Sequence, residues 1–295
     1  MRAFLLIAVS LLLGCQSAAK VMAPSNARNW APEQAVLPYA EISGDEVKVH
    51  NVRHCQYFGG TDLAPGVDTV AGAELGTEED ATGEEFVVNH DDRTYRLSDL
   101  RGVDFFMVPF EGMPSLAHTM LSFEFANDDG PPEHLTVSVE TRKEVGESYA
   151  AWKGSARQYE LMYVVADERD VIRVRTHFRN ENVYLYRTKA TPEQAQRLFV
   201  DVMGRANELA VHPEFYNTVT NNCTTNLVRH INRIHPKRIK YDYHVLLPGY
   251  SDELAYKEGL IEKEGSFAET KAKAYINAKA WSMADGRDFS EAIRR

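Results

Sequence analysis

The sequence predicts an α+β protein in which an antiparallel β meander is packed with helices, and three observations carry that prediction. Residues 86–186 hold a succession of short runs rich in Val, Ile, Phe, Tyr and Thr. Turn-like NDDGPP at 127–132 and DERD at 167–170 separate neighbouring runs by hairpin distances. Beyond residue 190 the apolar spacing lengthens from the period of a strand to that of a helix.

In chain order, an extended stretch at Glu46–Val52 comes first. The β runs are Phe86–Asn89, Val103–Phe110, Ala117–Phe125, Leu135–Thr141, Tyr159–Ala166, Val171–Phe178 and Val183–Tyr186. Glu168, Arg169 and Asp170 read as hairpin charges, with Arg173 and Arg175 on a solvated face. Thr191-Pro192-Glu193-Gln194 is a helix start, with Pro at the first helical position and a T-x-x-Q capping box, followed by Leu198, Val202, Ala206 and Leu209 on one face. A second helix follows Asn222, with Leu227, Ile231 and Ile234 as its apolar stripe. Ser251–Glu258 and a helix opened by the S-x-x-E box at Ser266 complete the pattern.

The balance of charge narrows the partners. Of 295 residues, 33 are Lys or Arg and 43 Asp or Glu, a net charge of −10, which argues against nucleic acid. The longest apolar run, Phe4–Leu13, is too short to cross a bilayer and lies behind Arg2. With LLGC at 12–15 it reads as a lipoprotein signal, residues 1–14, that leaves Cys15 as the lipidated first residue. Residues 15–30 then form a tether and 31–295 one catalytic domain, interrupted by an acidic insertion at about 59–85. The expected location is the bacterial cell envelope, lipid-anchored through Cys15 to the outer membrane and facing the periplasm.

Cys55 and Cys223 remain, and in an oxidising compartment they are candidates for a disulfide. Their settings differ. Cys55 ends the strand-like VKVHNVRHC, whereas Cys223 falls in the first turn of a helix capped by Asn222. Free amide groups and the positive end of the helix dipole there favour a nucleophilic thiolate. A base is needed, and His118 opens the alternating strand HTMLSFEF. If the following turn is centred near Asp129, Glu140 in LTVSVETR stands across from His118 or one diagonal away, the place of an orienting carboxylate. His134 is the poorer candidate because it falls near the turn. No pattern of metal ligands converges on His50, His54 and Cys55, so neither metal nor cofactor is expected.

The strings YNTVTNNCTTNLVRHIN, AHTMLSFEF, SVETRKEVGESY, YELMYVVADERDVIRVR and LPGYSDELAYKEGLI, with the closing FSEAIR, resemble the Lnb N-terminal periplasmic domain family of bacteria. The resemblance implies a permuted papain-like fold related to NlpC-type peptidases and lecithin:retinol acyltransferases, in which the His-bearing strand precedes the Cys-bearing helix. It also implies an acyl chain carried as a cysteine thioester to a lipoprotein amino terminus, with Cys223 as nucleophile and His118 as base. Glu140 as third member comes from strand register alone, and Asn222 as oxyanion support comes from its place beside the Cys223 amide. The family's namesake joins this domain to a membrane-spanning portion, for which this chain has no suitable segment, so the reaction is open to variation. The expectation is therefore a membrane-tethered cysteine acyltransferase acting on membrane lipid or lipoprotein. The alternatives are a cysteine peptidase or amidase on peptidoglycan peptides, and a non-catalytic envelope binding protein with a Cys55–Cys223 disulfide.

Overall fold

A computed structural model of the chain describes residues 23–58, 85–150, 153–154, 156–235, 239–282 and 288–295. The signal segment, the lipidation site Cys15 and, but for Glu85, the acidic insertion lie outside the described residues.

The class is mixed α/β, with a large, mostly antiparallel sheet and several helices. Its strands are β1 (Tyr39–Ser43), β2 (Glu46–Arg53), β5 (His90–Arg96), β6 (Leu100–Phe110), β7 (Met113–Phe125), β8 (Glu133–Arg142), β9 (Glu160–Asp167) and β10 (Tyr184–Arg187). They run in the spatial order β1-β2-β9-β8-β7-β6-β10, with β5 also paired to β2. β3 (Gln56–Phe58) and β4 (Glu85–Val87) form a separate ribbon. The meander is β6 through β9, and only the β2–β9 contact is parallel. β5 went unforeseen because HDDRTYR buries only Tyr95 among its residues, so it lacks an apolar alternation.

The helices are α1 (Glu168–Arg173), α2 (Pro192–Val211), α3 (Cys223–Ile234), α4 (Tyr243–Leu246), α5 (Ser251–Glu258), α6 (Phe267–Ala274), α7 (Asn277–Trp281) and α8 (Phe289–Ala292). The capping boxes at Thr191 and Ser266 form as read, each with its reciprocal pair of hydrogen bonds. Leu198, Val202, Ala206 and Leu209 of α2 are all buried.

Both faces of the sheet are covered. Leu121, Phe123, Phe125, Val137, Val139 and Tyr163 point to α2 and α3 and form the larger core with Phe199 and Leu227. The alternate residues Phe106, Val108, Met120, Met162 and Val164 point the other way, against Val171, Ile172, Ile276, Phe289 and Ile293.

The second face corrects the reading of Val171–Phe178 as a strand. Asp167 caps α1 by accepting from the Arg169 amide, and the chain continues helically through a π turn at Val174–Phe178. A short β-branched run looks the same in sequence whether it is a buried strand or one buried helical face, and here burial against the sheet decided. The charges around it are not solvated hairpin charges. Glu168 is fully buried on Arg294, and Asp170 takes a bidentate pair from Arg53 at 3.0 Å. Arg175 is 6% exposed. His134, near the β7–β8 turn as expected, lies between Glu168 at 3.9 Å and Glu291 at 3.5 Å.

The end of the expected tether also packs. Asn26 donates to the carbonyls of Leu209 and Ala210, Arg28 pairs with Glu160 at 2.7 Å, and buried Trp30 lies under Arg142. Residues 26–30 therefore belong to the folded body.

Candidate active site

Cys223 is the first residue of α3. Asn222 caps that helix: its Oδ1 accepts from the Thr225 amide, and the Thr225 hydroxyl accepts from the Asn222 amide, a reciprocal box. The Asn222 side-chain amide donates to the Thr218 carbonyl at 2.7 Å. Both ends of that side chain are thus engaged in holding the loop and the helix start, with one of its two amide N–H groups making no bond among the described residues. The Cys223 amide likewise donates to no acceptor among the described residues, as is normal in a first turn.

Cys223 and Cys55 are both buried, and neither is part of a disulfide. The disulfide held open from the sequence is not formed: Cys55 sits beside the Asp170 cluster, its amide donating to that carboxylate. Cys223 Sγ lies 3.7 Å from the Ala117 carbonyl, to which it donates, and 3.9 Å from the Thr224 hydroxyl.

His118 is the residue after Ala117, so the pleat turns its ring to the opposite face of the sheet. There its Nε2 is 2.6 Å from the Ser138 hydroxyl, Ser138 donates to Glu140 Oε1 at 2.7 Å, and Glu140 Oε1 is 3.7 Å from His118 Nε2. Continuing the β7–β8 register beyond Met120↔Ser138 puts His118 opposite Glu140, as the turn at Asp129 implied. Because Ser138 gives its proton to Glu140, its oxygen accepts from His118, which fixes the tautomer with hydrogen on Nε2. Nδ1 then carries the lone pair and has no partner among the described residues.

Electrostatics set the protonation state. Burial first, and the Arg175 guanidinium second, push the His118 pKa down to about 3, while the Glu140 carboxylate works against them. Burial opposes ionisation of Glu140, but His118, Arg175, Arg53 and the Ser138 hydroxyl more than offset it, and its pKa falls well below the usual carboxylate range. At neutral pH the group is a neutral imidazole beside a carboxylate.

No hydrogen bond joins Cys223 to His118. What brings them together is a cleft of about 670 Å³ at the strand ends, lined by Cys223, Asn222, His118 and Glu140. Tyr149 and Tyr216 line it too. Burial raises both phenols, Tyr149 to about 12, so both keep their protons at neutral pH and can donate there. The sequence reading assigned no role to Ser138, Tyr149, Tyr216 or Arg175. All four fall inside the strings that resembled the family, and only their contacts in space single them out. Among the described residues no group of His, Cys, Asp and Glu is placed to hold a metal ion.

A buried thiol at a capped helix start, opening with an imidazole and a carboxylate into one cleft of an antiparallel sheet, defines a class of α/β proteins with a candidate cysteine site. The profile of the Lnb N-terminal periplasmic domain family matches residues 87–249, and the chain belongs to that family. The match spans β7, β8 and α3, the elements that carry the site, and gives the protein a periplasmic or envelope location. No curated protein and no solved structure matches the chain. Among the described residues no helix is long and apolar enough to cross a membrane.

Proposed function

We propose that the protein is a cysteine-dependent acyl-transfer enzyme of permuted papain-like arrangement, working through a thioester on a lipid or lipoprotein substrate. The observation that carries this reading is the shared cleft: a free thiol at a helix start and a tautomer-fixed imidazole open into the same space.

In the proposed cycle Cys223 Sγ attacks an ester carbonyl, and its proton passes to His118 Nδ1 through a water in the cleft, since no direct bond links them. The Cys223 amide and a phenol from Tyr149 or Tyr216 donate to the oxyanion. Collapse breaks the ester bond, the alcohol leaves with the proton from Nδ1, and an acyl thioester remains. An incoming amine then attacks the thioester, gives its proton to the imidazole, and expels the thiolate, which is reprotonated. Glu140, through Ser138, stabilises the imidazolium formed at each stage, opposing the effect of Arg175. The envelope location supports this substrate class, and lipidation of Cys15 at the outer membrane would confine enzyme and acyl donor to one surface.

Intact-protein mass spectrometry after exposure to phospholipid or a diacylated lipopeptide tests the reading. An acyl adduct on Cys223, absent from Cys223→Ala and depleted in His118→Ala, is expected. An adduct formed only from muropeptide would replace it with the peptidase reading, and no adduct from any donor would remove the enzyme reading. Cys15→Ser is expected to release a folded protein from membranes.

A further inference from the structure

A second, narrower groove of about 130 Å³ lies on the α3 side of the sheet, away from the His118 face. One wall is a stripe of α3, formed by Thr224, Leu227, Val228, Ile231 and Ile234, at the three- and four-residue spacing that puts side chains on one helix face. Facing it are Leu121 of β7 and Leu254 of α5, so the surface is overwhelmingly aliphatic. The stripe runs about 15 Å along the helix axis. It starts at Thr224, whose hydroxyl is 3.9 Å from Cys223 Sγ. The groove thus begins at the residue after Cys223, whose own side chain lines the His118 cleft, and leads away from it along α3.

We infer that this groove holds the aliphatic chain of the acyl group while its carbonyl is bonded to Cys223, an inference that rests on the acyl-transfer reading above. Three features select this occupant. The α3 stripe offers no charged partner, and although Lys189 and His235 also line the groove, a polar ligand lying along the stripe would lose its hydration without replacement there. An aliphatic lining takes up hydrocarbon in preference to water, as enclosed apolar cavities of about 150 Å³ do when they bind benzene. The geometry is also directional, since a chain lying along α3 has its carboxyl end at the helix N-terminus, where the Cys223 amide is unpaired. The volume accommodates about the bulk of a benzene ring, six carbons or so, without rearrangement. Longer chains require the half-buried Ile231 and Ile234 to shift.

The experiment uses the full chain and two readouts. With Cys223→Ala, binding of the fluorescent fatty acid cis-parinaric acid is followed by its emission. With the intact thiol, adduct formation on Cys223 is timed with p-nitrophenyl butyrate and p-nitrophenyl laurate. Ile231→Trp fills the groove, and Ile234→Phe, at its far, half-exposed end, serves where the first variant fails to fold. The expected result is probe binding weakened about ten-fold by the filling substitution, and a laurate rate reduced by a similar factor while butyrate is unaffected. Equal effects on both esters together with unchanged probe binding would overturn the inference while leaving the thioester reading intact. Probe binding that is weakened by Ile231→Trp in a protein that never forms an adduct would keep the groove as a hydrocarbon site and remove the thioester reading instead. Probe binding that neither filling variant weakens would mean that the hydrocarbon sits elsewhere.

Discussion

The two faces of the sheet are buried to a similar degree by different means. On the α2/α3 face the core is apolar, centred on Phe199, whose ring meets Phe123, Phe125 and Tyr95 at 5.0, 5.3 and 6.4 Å. On the α1/α8 face apolar packing is interleaved with buried ion pairs. Arg294 bridges Glu168 and Asp104 at 2.6 and 2.8 Å, Arg53 grips Asp170, and Arg175 lies by Glu140. Aromatic burial is forgiving in direction, whereas a desolvated ion pair holds only while both partners are present. The candidate site spans the two regimes: its thiol belongs to the apolar face and its imidazole and carboxylate to the ionic one. The imidazole held neutral by burial and by a neighbouring guanidinium lies on the ionic face.

The comparison can be broken most directly on the apolar side. Phe199→Ala is expected to cost about 3–5 kcal/mol by loss of transfer energy and an unfilled cavity, read from urea denaturation. No charge substitution elsewhere should restore it. On the ionic side Arg294→Met is expected to cost a comparable amount, about 3–5 kcal/mol, because buried Glu168 loses its guanidinium and buried Asp104 keeps only Arg187 at 3.5 Å. Here neutralising them in the same chain, with Glu168→Gln and Asp104→Asn, should recover much of the loss. Failure to recover would mean that Arg294 acts by packing, and the contrast between the faces would disappear.

A smaller effect, about 1 kcal/mol, is expected for Asn222→Ala, which removes the α3 cap. The same change should lower the reactivity of Cys223 toward iodoacetamide, since the helix start that faces the sulfur frays. Unchanged reactivity would separate the cap from the thiol.

The smallest effect at pH 7 is expected for His118→Asn, and it should grow in acid. The folded protein holds His118 neutral down to about pH 3, whereas the unfolded chain takes up that proton near 6.5. Between those values the unfolded state binds more protons, so stability falls as pH falls through this window. Asparagine does not titrate, and the variant should lose less stability than the parent between pH 6.5 and 3. Parallel curves would show that His118 is not held neutral in the fold. Glu140, with its pKa depressed, adds loss in the same direction below its unfolded value of 4.5, and Glu140→Gln should remove that part.

Much of this was legible in the residues because it depends on local physics. The strands β6 to β9 announce themselves by β-branched and aromatic runs, and the starts of α2, α3 and α6 by side chains that satisfy amide groups within their own first turn. The facing of His118 and Glu140 followed from the turn at 127–132, since one hairpin fixes the register of both strands. What tertiary structure alone decided was anything requiring a second covered face. The run Val171–Phe178 became helical, Glu168 and Asp170 went inside, and β5 formed from a polar sequence because β2 offered it an edge. The same cause decided the site: one residue of pleat separates Ala117, which touches the thiol, from His118, which turns away to Ser138. A period of two says that neighbours point apart, but only the packing of helices on both sides determines that each direction leads to buried chemistry.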